Sequence, residues 1–353
     1  MVTVIAPPRP HIQNHDGQAL PKPYLLFLGD APDPGFAKTA FGLRDWAGDD
    51  VVGEFALPAA TVSTGLDFLT PGDAAKQGAR SLLIGVANAG GAIPSAWMPV
   101  LFDALEAGLD IVSGMHTRLA DLPGLSDVAE RVGRRLVDVR VPPTDLPIGT
   151  GTKRSGKRIL TVGTDCALGK KYTALAVARG LRKRGLDADF RATGQTGIMI
   201  VGSGIPIDAV VSDFISGAAE VLSPSAAPDH FDVIEGQGSL FHPAYASVSL
   251  GLLHGSQPDS FIVCHQPGRT HMLGSAQYRL PTIEDVIART IMMGQLTNPA
   301  IRCAGVALNT SGLDEVDADR EMEEVSTRLG GLPTADPIRG GDAFDRLLDA
   351  CVA

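Results

Sequence analysis

Arg158-Ile-Leu-Thr-Val-Gly-Thr-Asp-Cys-Ala-Leu-Gly-Lys-Lys-Tyr-Thr173 decides the fold. An apolar run, Ile159 to Val162, reads as a short strand. Gly163 to Gly169 is a glycine-bounded loop, and Ala174, Leu175, Val177, Ala178 and Leu181 then fall at helical spacing. Strand, loop and helix in that order aim backbone N–H groups and a helix N-terminus at an anion, and Lys170 adds a point charge. The expected ligand carries phosphates, held by Gly163, Thr164, Asp165, Gly169, Lys170, Lys171, Tyr172 and Thr173. The loop departs from the common one. Five residues separate Gly163 from Gly169 rather than four, and the residue after Gly-Lys is Lys171 instead of the Ser or Thr whose hydroxyl holds Mg²⁺ in nucleotide triphosphatases. A second cation suits direct charge pairing with phosphate and argues against metal-dependent γ-phosphoryl chemistry; Thr173 would restore a metal-holding hydroxyl only in an altered loop.

Outward from this stretch, 353 residues suffice for two domains. A composition 44% hydrophobic and 20% charged is that of a soluble globular protein, and a formal net charge of −10 excludes the basic footprint that nucleic acids and anionic membranes require. Small molecules are therefore the expected partners. Cys166, Cys264, Cys303 and Cys351 are scattered, with no Cys-x-x-Cys spacing, so no zinc site or disulfide framework is expected and a reducing cytoplasm fits. Met1 to Pro10 lacks a basic segment followed by an apolar core, so no secretion signal is read there. The uncharged stretch Ser81 to Phe102 is broken too often by Gly and Pro to cross a membrane.

Before the loop, residues 1 to about 20 are proline-rich and expected on the surface. Tyr24–Gly29, Val51–Phe55, Ser81–Val86, Asp110–Met115 and Leu136–Arg140 read as strands, with a helical face through Trp97, Val100, Leu101, Ala104 and Leu105. Strands alternating with helices give a parallel α/β sheet of the Rossmann-like kind over residues 1–140. Gly29 to Thr39 only superficially resembles a second phosphate loop: it has Pro32 and Pro34 and no Gly-Lys pair. Residues 141–157, rich in Pro, Gly and polar residues, read as a linker, and 158–353 as a phosphate-loop NTPase-like α/β domain.

Within that second domain, Asp187 to Thr193 reads as a strand entering a glycine turn, Gly194 to Gly197. Apolar positions 207, 210, 211, 214, 218 and 221 fit one helical face after Pro206. His230 to Tyr245 delivers Glu235, Gln237, Ser239 and His242 from the end of a short strand. A carboxylate there costs desolvation unless it meets a cation, a metal or a substrate proton. Phe261 to His265 is a further strand, leading into Arg269 and His271; Arg269 suits a carboxylate or phosphate. Asn309 ends another strand, Thr282 to Asp285 starts a helix, and helices are expected over about 315–329 and 342–351.

Gly163-Thr-Asp-Cys-Ala-Leu-Gly-Lys170 and Glu235-Gly-Gln-Gly238 resemble dethiobiotin synthetase, whose loop has the same length. That likeness implies a metal-side or phosphate-side role for Glu235 and base reading by Asn309. This chain departs from it at Lys171, and at Asp189-Phe-Arg191, where that family keeps a catalytic lysine. A second resemblance covers nearly the whole chain. Gly163 to Cys166 with Gly169-Lys-Lys171, Ala192 to Gly197, Asp208 to Asp213, Glu235 to Pro243 and the Arg269/His271 loop look like a two-domain phosphate-loop family with members assigned as D-glutamate N-acetyltransferases. The resemblance implies acetyl-coenzyme A as co-substrate, which needs no metal. It also implies a base among Glu235, His242 and Asp213, and substrate binding by Gln237, Arg269, His271 or Arg191. A cytoplasmic homo-oligomer is expected. A Mg·ATP-dependent ligase and a nucleotide-binding protein without catalysis fit the same fold.

Overall fold

The computed structural model describes residues 19–353; the surface expected for the first 18 lies outside them. The chain divides into two compact units, one running up to Pro143 and including Ile198–Ile205, the other made of Thr144–Gly197 and Pro206–Ala353.

The first unit alternates β1 (Tyr24–Phe27), α1 (Lys38–Trp46), β2 (Val51–Phe55), α2 (Pro71–Lys76), β3 (Ser81–Ile84), α3 (Met98–Glu106), β4 (Asp110–Ser113), α4 (Leu125–Val132) and β5 (Leu136–Asp138). Its five strands lie parallel in the order β2-β1-β3-β4-β5. Parallel strands carry helices on both faces, which is why β1, β3 and β4 are unbroken buried runs rather than alternating ones. Trp97 anchors the core edge-on against Phe27, with ring centroids 5.3 Å apart, and its indole N–H donates to Asp30 at 3.0 Å. Gly29 has φ +54°, and a Cβ there would lie 2.4 Å from the Trp97 ring. Pro32 to Gly35 are exposed, and α1 begins only at Lys38.

The second unit holds β6 (Lys157–Gly163), α5 (Lys170–Lys183), β7 (Ala188–Arg191), the start of α6 (Gln195–Val201), whose residues from Ile198 on count with the first unit, α7 (Ile215–Leu222), β8 (Phe231–Ile234), α8 (Ala246–Ser256) and β9 (Ser260–His265). The hairpin β10 (His271–Met272) and β11 (Ser275–Arg279) follows, then α9 (Ile283–Gly294), β12 (Arg302–Leu308), α10 (Glu315–Arg328), β13 (Thr334–Ala335) and α11 (Gly341–Val352). Its six-stranded parallel sheet runs β13-β12-β9-β6-β8-β7. α9 starts at a capping box between Thr282 and Asp285.

Two local expectations are corrected. Gly194–Gly197 is not a turn, because α6 already begins at Gln195. Residues 207–221 are not one helix: Ile207–Ala209 and Ser212–Phe214 are separate 3-10 turns, and α7 starts at Ile215. Between the turns Val210 and Val211 are extended, with ψ of 137° and 135°, and Val211 is exposed. β-branched side chains at consecutive positions favour that backbone, and one apolar stripe is filled equally well by two turns and a short helix.

Candidate functional site

Because β8 and β9 flank β6, the loops leaving all three strands meet beyond their carboxyl ends, where ligands of open parallel sheets bind. Gly163–Gly169 leaves β6, the Glu235 loop leaves β8 and the Gln266–Met272 segment leaves β9. Gly169 takes φ +104°, a conformation a glycine adopts without strain, and sits immediately before α5. The fourteen-residue α5 thus points its N-terminus into the loop.

Lys170 lies buried at the head of α5, and its ammonium donates to the loop's own Asp165 carbonyl at 2.6 Å. Burial pulls its pKa below the ordinary lysine value, while Cys166, Cys264 and Asp165 oppose that shift. The Lys171 ammonium lies over the Tyr172 ring, 5.3 Å from its centroid. Thr173 turns inward, and its hydroxyl accepts from the Cys264 thiol at 3.5 Å. The hydroxyl offered in place of the missing metal-holding group thus faces Cys264 in the core. On the other side of the loop, Thr164 Oγ1 and His265 Nδ1 are 2.9 Å apart. Burial, with Arg328 and Arg269 adding to it, lowers the His265 pKa to about 4, which keeps the ring neutral.

Asp165 is completely buried. Its Oδ2 accepts from Arg269 Nη1 at 3.1 Å and from the Leu273 N–H at 2.8 Å. The same guanidinium donates to the carbonyls of Cys166 at 2.8 Å and Ala167 at 3.4 Å, and to Gln266 Oε1 at 2.8 Å. Arg269, expected to hold a substrate carboxylate, is thus the brace of the phosphate loop. Sequence reading missed this because the two residues are 104 positions apart. The only clue was an acidic residue in a loop that otherwise attracts anions.

Glu235 follows β8. Gly236 lets the chain pass so close to β6 that a Cβ would stand 1.7 Å from the Thr161 carbonyl oxygen, and Lys170 Cδ lies 3.1 Å from the same point. Lys170 and the Glu235 loop are in contact. Glu235 Oε2 accepts from the N–H groups of Thr193 at 3.0 Å and Gly194 at 3.2 Å, while Thr193 Oγ1 donates to its carbonyl at 2.7 Å. Gln237 Nε2 donates to the Thr193 hydroxyl at 3.0 Å. Burial raises the Glu235 pKa to about 7, against the pull of Lys171 and the two N–H groups; Asp208 adds to the rise. A buried carboxylate half-ionised near neutral pH can take up and release a proton under working conditions.

His242 is buried against the loop as well. Its Nδ1 accepts from the Ala244 N–H at 3.1 Å, its ring stacks on Tyr245 with centroids 4.5 Å apart, and its Nε2 lies 4.0 Å from Asp165 Oδ1. Neither Nε2 nor that Oδ1 has a hydrogen-bond partner.

The remaining candidates stand elsewhere or are already engaged. Asp213 is exposed on the second 3-10 turn. Arg191 is committed to the fold: Nε donates to the buried Asp232 at 2.5 Å, an Nη lies 3.5 Å from Asp189, and Asp232 also meets His230 at 3.0 Å. His271 is exposed on β10, its Nδ1 2.9 Å from Thr270 Oγ1. Asn309 follows β12, which ends at Leu308, and its Oδ1 accepts from the Ser311 N–H at 3.2 Å.

Two family models cover the chain, a P-loop domain of unknown function over residues 147–348 and a Rossmann-like domain of unknown function over 56–142, both designated DUF1611. The chain belongs to the DUF1611 family. It is 50% identical over 331 residues to a D-glutamate N-acetyltransferase of Tritonibacter scottomollicae, covering 94% of this chain and 98% of that one. It is 47% identical to a D-glutamate N-acetyltransferase of a Pseudoalteromonas species over 90% of this chain and 96% of the other. A crystal structure of a DUF1611 protein from Anabaena variabilis matches with a TM-score of 0.83 at 31% identity, over 93% of this chain and 98% of that one. Membership carries both halves of the architecture expected from sequence, the Rossmann-like sheet and the phosphate-loop domain. Among the described residues no helix is long and apolar enough to cross a membrane.

Proposed function

We propose that this chain transfers the acetyl group of acetyl-coenzyme A to the amine of D-glutamate. The observation that carries the reading is Glu235, a buried carboxylate raised to about 7 and set against a phosphate loop whose metal-holding hydroxyl is replaced by Lys171. The names of the relatives support the activity and the substrate. Coenzyme A brings a pyrophosphate and a 3′-phosphate for the loop and its two lysines, and thioester aminolysis needs no metal.

Glu235 is the general base in this reading. It takes one proton from the substrate ammonium, the amine nitrogen bonds to the acetyl carbon, and the carbon–sulfur bond breaks. The thiolate leaves with the proton shed by the nitrogen as the amide forms. Contact between Lys170 and the Glu235 loop puts the base beside the phosphates, so the pantetheine arm must fold back for its thioester to reach Glu235. Cys166, in the same loop, is the alternative acceptor of the acetyl group. Direct transfer rests instead on the tuned carboxylate.

The test is acetyl-coenzyme A-dependent, D-glutamate-dependent release of thiol, run beside calorimetric titrations with coenzyme A and with ATP, each with and without Mg²⁺. Thiol release without Mg²⁺ supports the proposal. Mg²⁺-dependent ATP turnover without acetyl transfer replaces it with the ligase reading, and ATP binding without turnover of either kind replaces it with a nucleotide sensor. The proposal includes a cytoplasmic homo-oligomer with small-molecule partners only, which gel filtration of the native protein addresses.

A further inference from the structure

Asp165 Oδ1 and His242 Nε2 face each other 4.0 Å apart, both buried and both without a hydrogen-bond partner. Leaving a buried donor and a buried acceptor unmade is costly, so the pair calls for an explanation. The proton inventory of the ring comes first. Nδ1 accepts from the Ala244 N–H, so Nδ1 carries the lone pair and Nε2 carries the hydrogen. A doubly protonated ring would set Nδ1–H against that N–H. In this arrangement Nδ1 is the acceptor and Nε2 the donor of the His242 ring, so its one lone pair is already engaged.

The same inventory argues against a metal. Asp165, Cys166 and His242 offer three ligand-type atoms within 4.8 Å of one another. A coordinating histidine, however, donates through its other nitrogen, and here that nitrogen accepts. A tetrahedral zinc with bonds of about 2.1 Å also holds ligand atoms about 3.4 Å apart, closer than this pair. A phosphate oxygen fails for another reason: it has no proton to give the carboxylate. What satisfies both atoms is a group that donates and accepts at once, as a buried water or an alcohol hydroxyl does. A hydroxyl oxygen about 2.8 Å from each would subtend an angle of about 90°.

We propose that Asp165 Oδ1 and the His242 Nε2–H together bind an alcohol hydroxyl borne next to a loop-bound phosphate, namely the hydroxyl of the coenzyme A arm. This rests on the acetyl-coenzyme A reading. In coenzyme A the arm leaves the pyrophosphate through an ester oxygen, and its third carbon bears a secondary hydroxyl. A nucleoside triphosphate offers a further phosphate in that direction, which the Asp165 carboxylate repels. The two residues would then select the coenzyme.

The test compares coenzyme A with 3′-phospho-ADP, the same nucleotide without the arm, by calorimetry on the full chain. In His242→Phe, which keeps a ring on Tyr245, coenzyme A binding should weaken roughly ten-fold and 3′-phospho-ADP binding by less than about two-fold. His242→Gln, which restores an N–H donor, should recover part of the loss. Equal losses for both ligands, or none, overturn the proposal. So does stoichiometric zinc binding abolished by His242→Phe. Acetyl transfer by the wild-type protein is the separate readout of the underlying reading. Transfer accompanied by equal losses overturns the hydroxyl site alone, whereas no transfer and no coenzyme A binding overturn both.

Discussion

Lys170 Nζ donates to the carbonyl oxygen of Asp165 at 2.6 Å, so the cation that should meet a ligand's phosphate is held by the loop it serves. A phosphate that displaces that carbonyl gains a charge-assisted hydrogen bond in a buried setting. Lys170→Ala should weaken coenzyme A binding by about 1.5 to 3 kcal/mol, roughly ten- to 150-fold. An unchanged dissociation constant in a calorimetric titration would remove the phosphates from this loop.

Glu235 sets the pH dependence. With its pKa raised to about 7, kcat/KM should rise through that pH as the carboxylate ionises, and Glu235→Gln should lose this limb together with roughly 10² to 10⁴ of the rate. Stability runs the other way. A carboxylate raised in the folded state contributes fully below its unfolded value, and the contribution is lost as pH rises through about 7. At pH 8 the Gln variant should therefore melt above wild type. A variant that melts lower there, or keeps the limb, would remove Glu235 as the base.

Chelation separates thioester chemistry from nucleotide turnover. Lys171 replaces the metal-holding hydroxyl and the Thr173 hydroxyl is bound to Cys264, so EDTA should leave acetyl transfer intact. Loss of transfer that Mg²⁺ restores would favour the ligase reading.

Cys166→Ser should retain most of the turnover, because a tuned carboxylate makes an acyl-thiol intermediate unnecessary. Mass spectrometry after exposure to acetyl-coenzyme A alone decides the point. An acetyl adduct on Cys166 that D-glutamate discharges would establish a two-step mechanism instead.

Arg191 is predicted to act on stability and not on substrate. Asp232→Ala leaves its guanidinium without the buried partner and should cost about 3 to 5 kcal/mol in denaturant unfolding. The KM for D-glutamate should stay unchanged in the protein that folds; a raised KM would return Arg191 to the substrate.

The strand–loop–helix around Lys170 and the Glu235 strand end were legible because each depends on local spacing. What joins them is not local. Arg269 reaches Asp165 only because β9 lies beside β6, an adjacency that periodicity does not encode. The same holds for Arg191, whose role was hidden until β7 paired with β8 and set it against Asp232. Gly194 to Gly197 misled in another way. Glycines permit a turn, yet here they let a helix start pack close to Glu235: a Cβ on Gly197 would lie 2.4 Å from its carboxylate. The protonated nitrogen of His242 likewise became readable only from the direction of one backbone N–H.

The placement of the four cysteines has a practical use. Burial pushes the thiol of Cys264 to about 11 and those of Cys303 and Cys351 to about 12, so at neutral pH none of the three supplies the thiolate that alkylating reagents consume. Cys166 lies half-buried in the loop whose carbonyl oxygens, its own among them, Arg269 grips. A maleimide should then mark the chain at one position, and the rate of marking would serve as an optical gauge of how full the phosphate loop is, in a protein that carries no chromophore for its substrates.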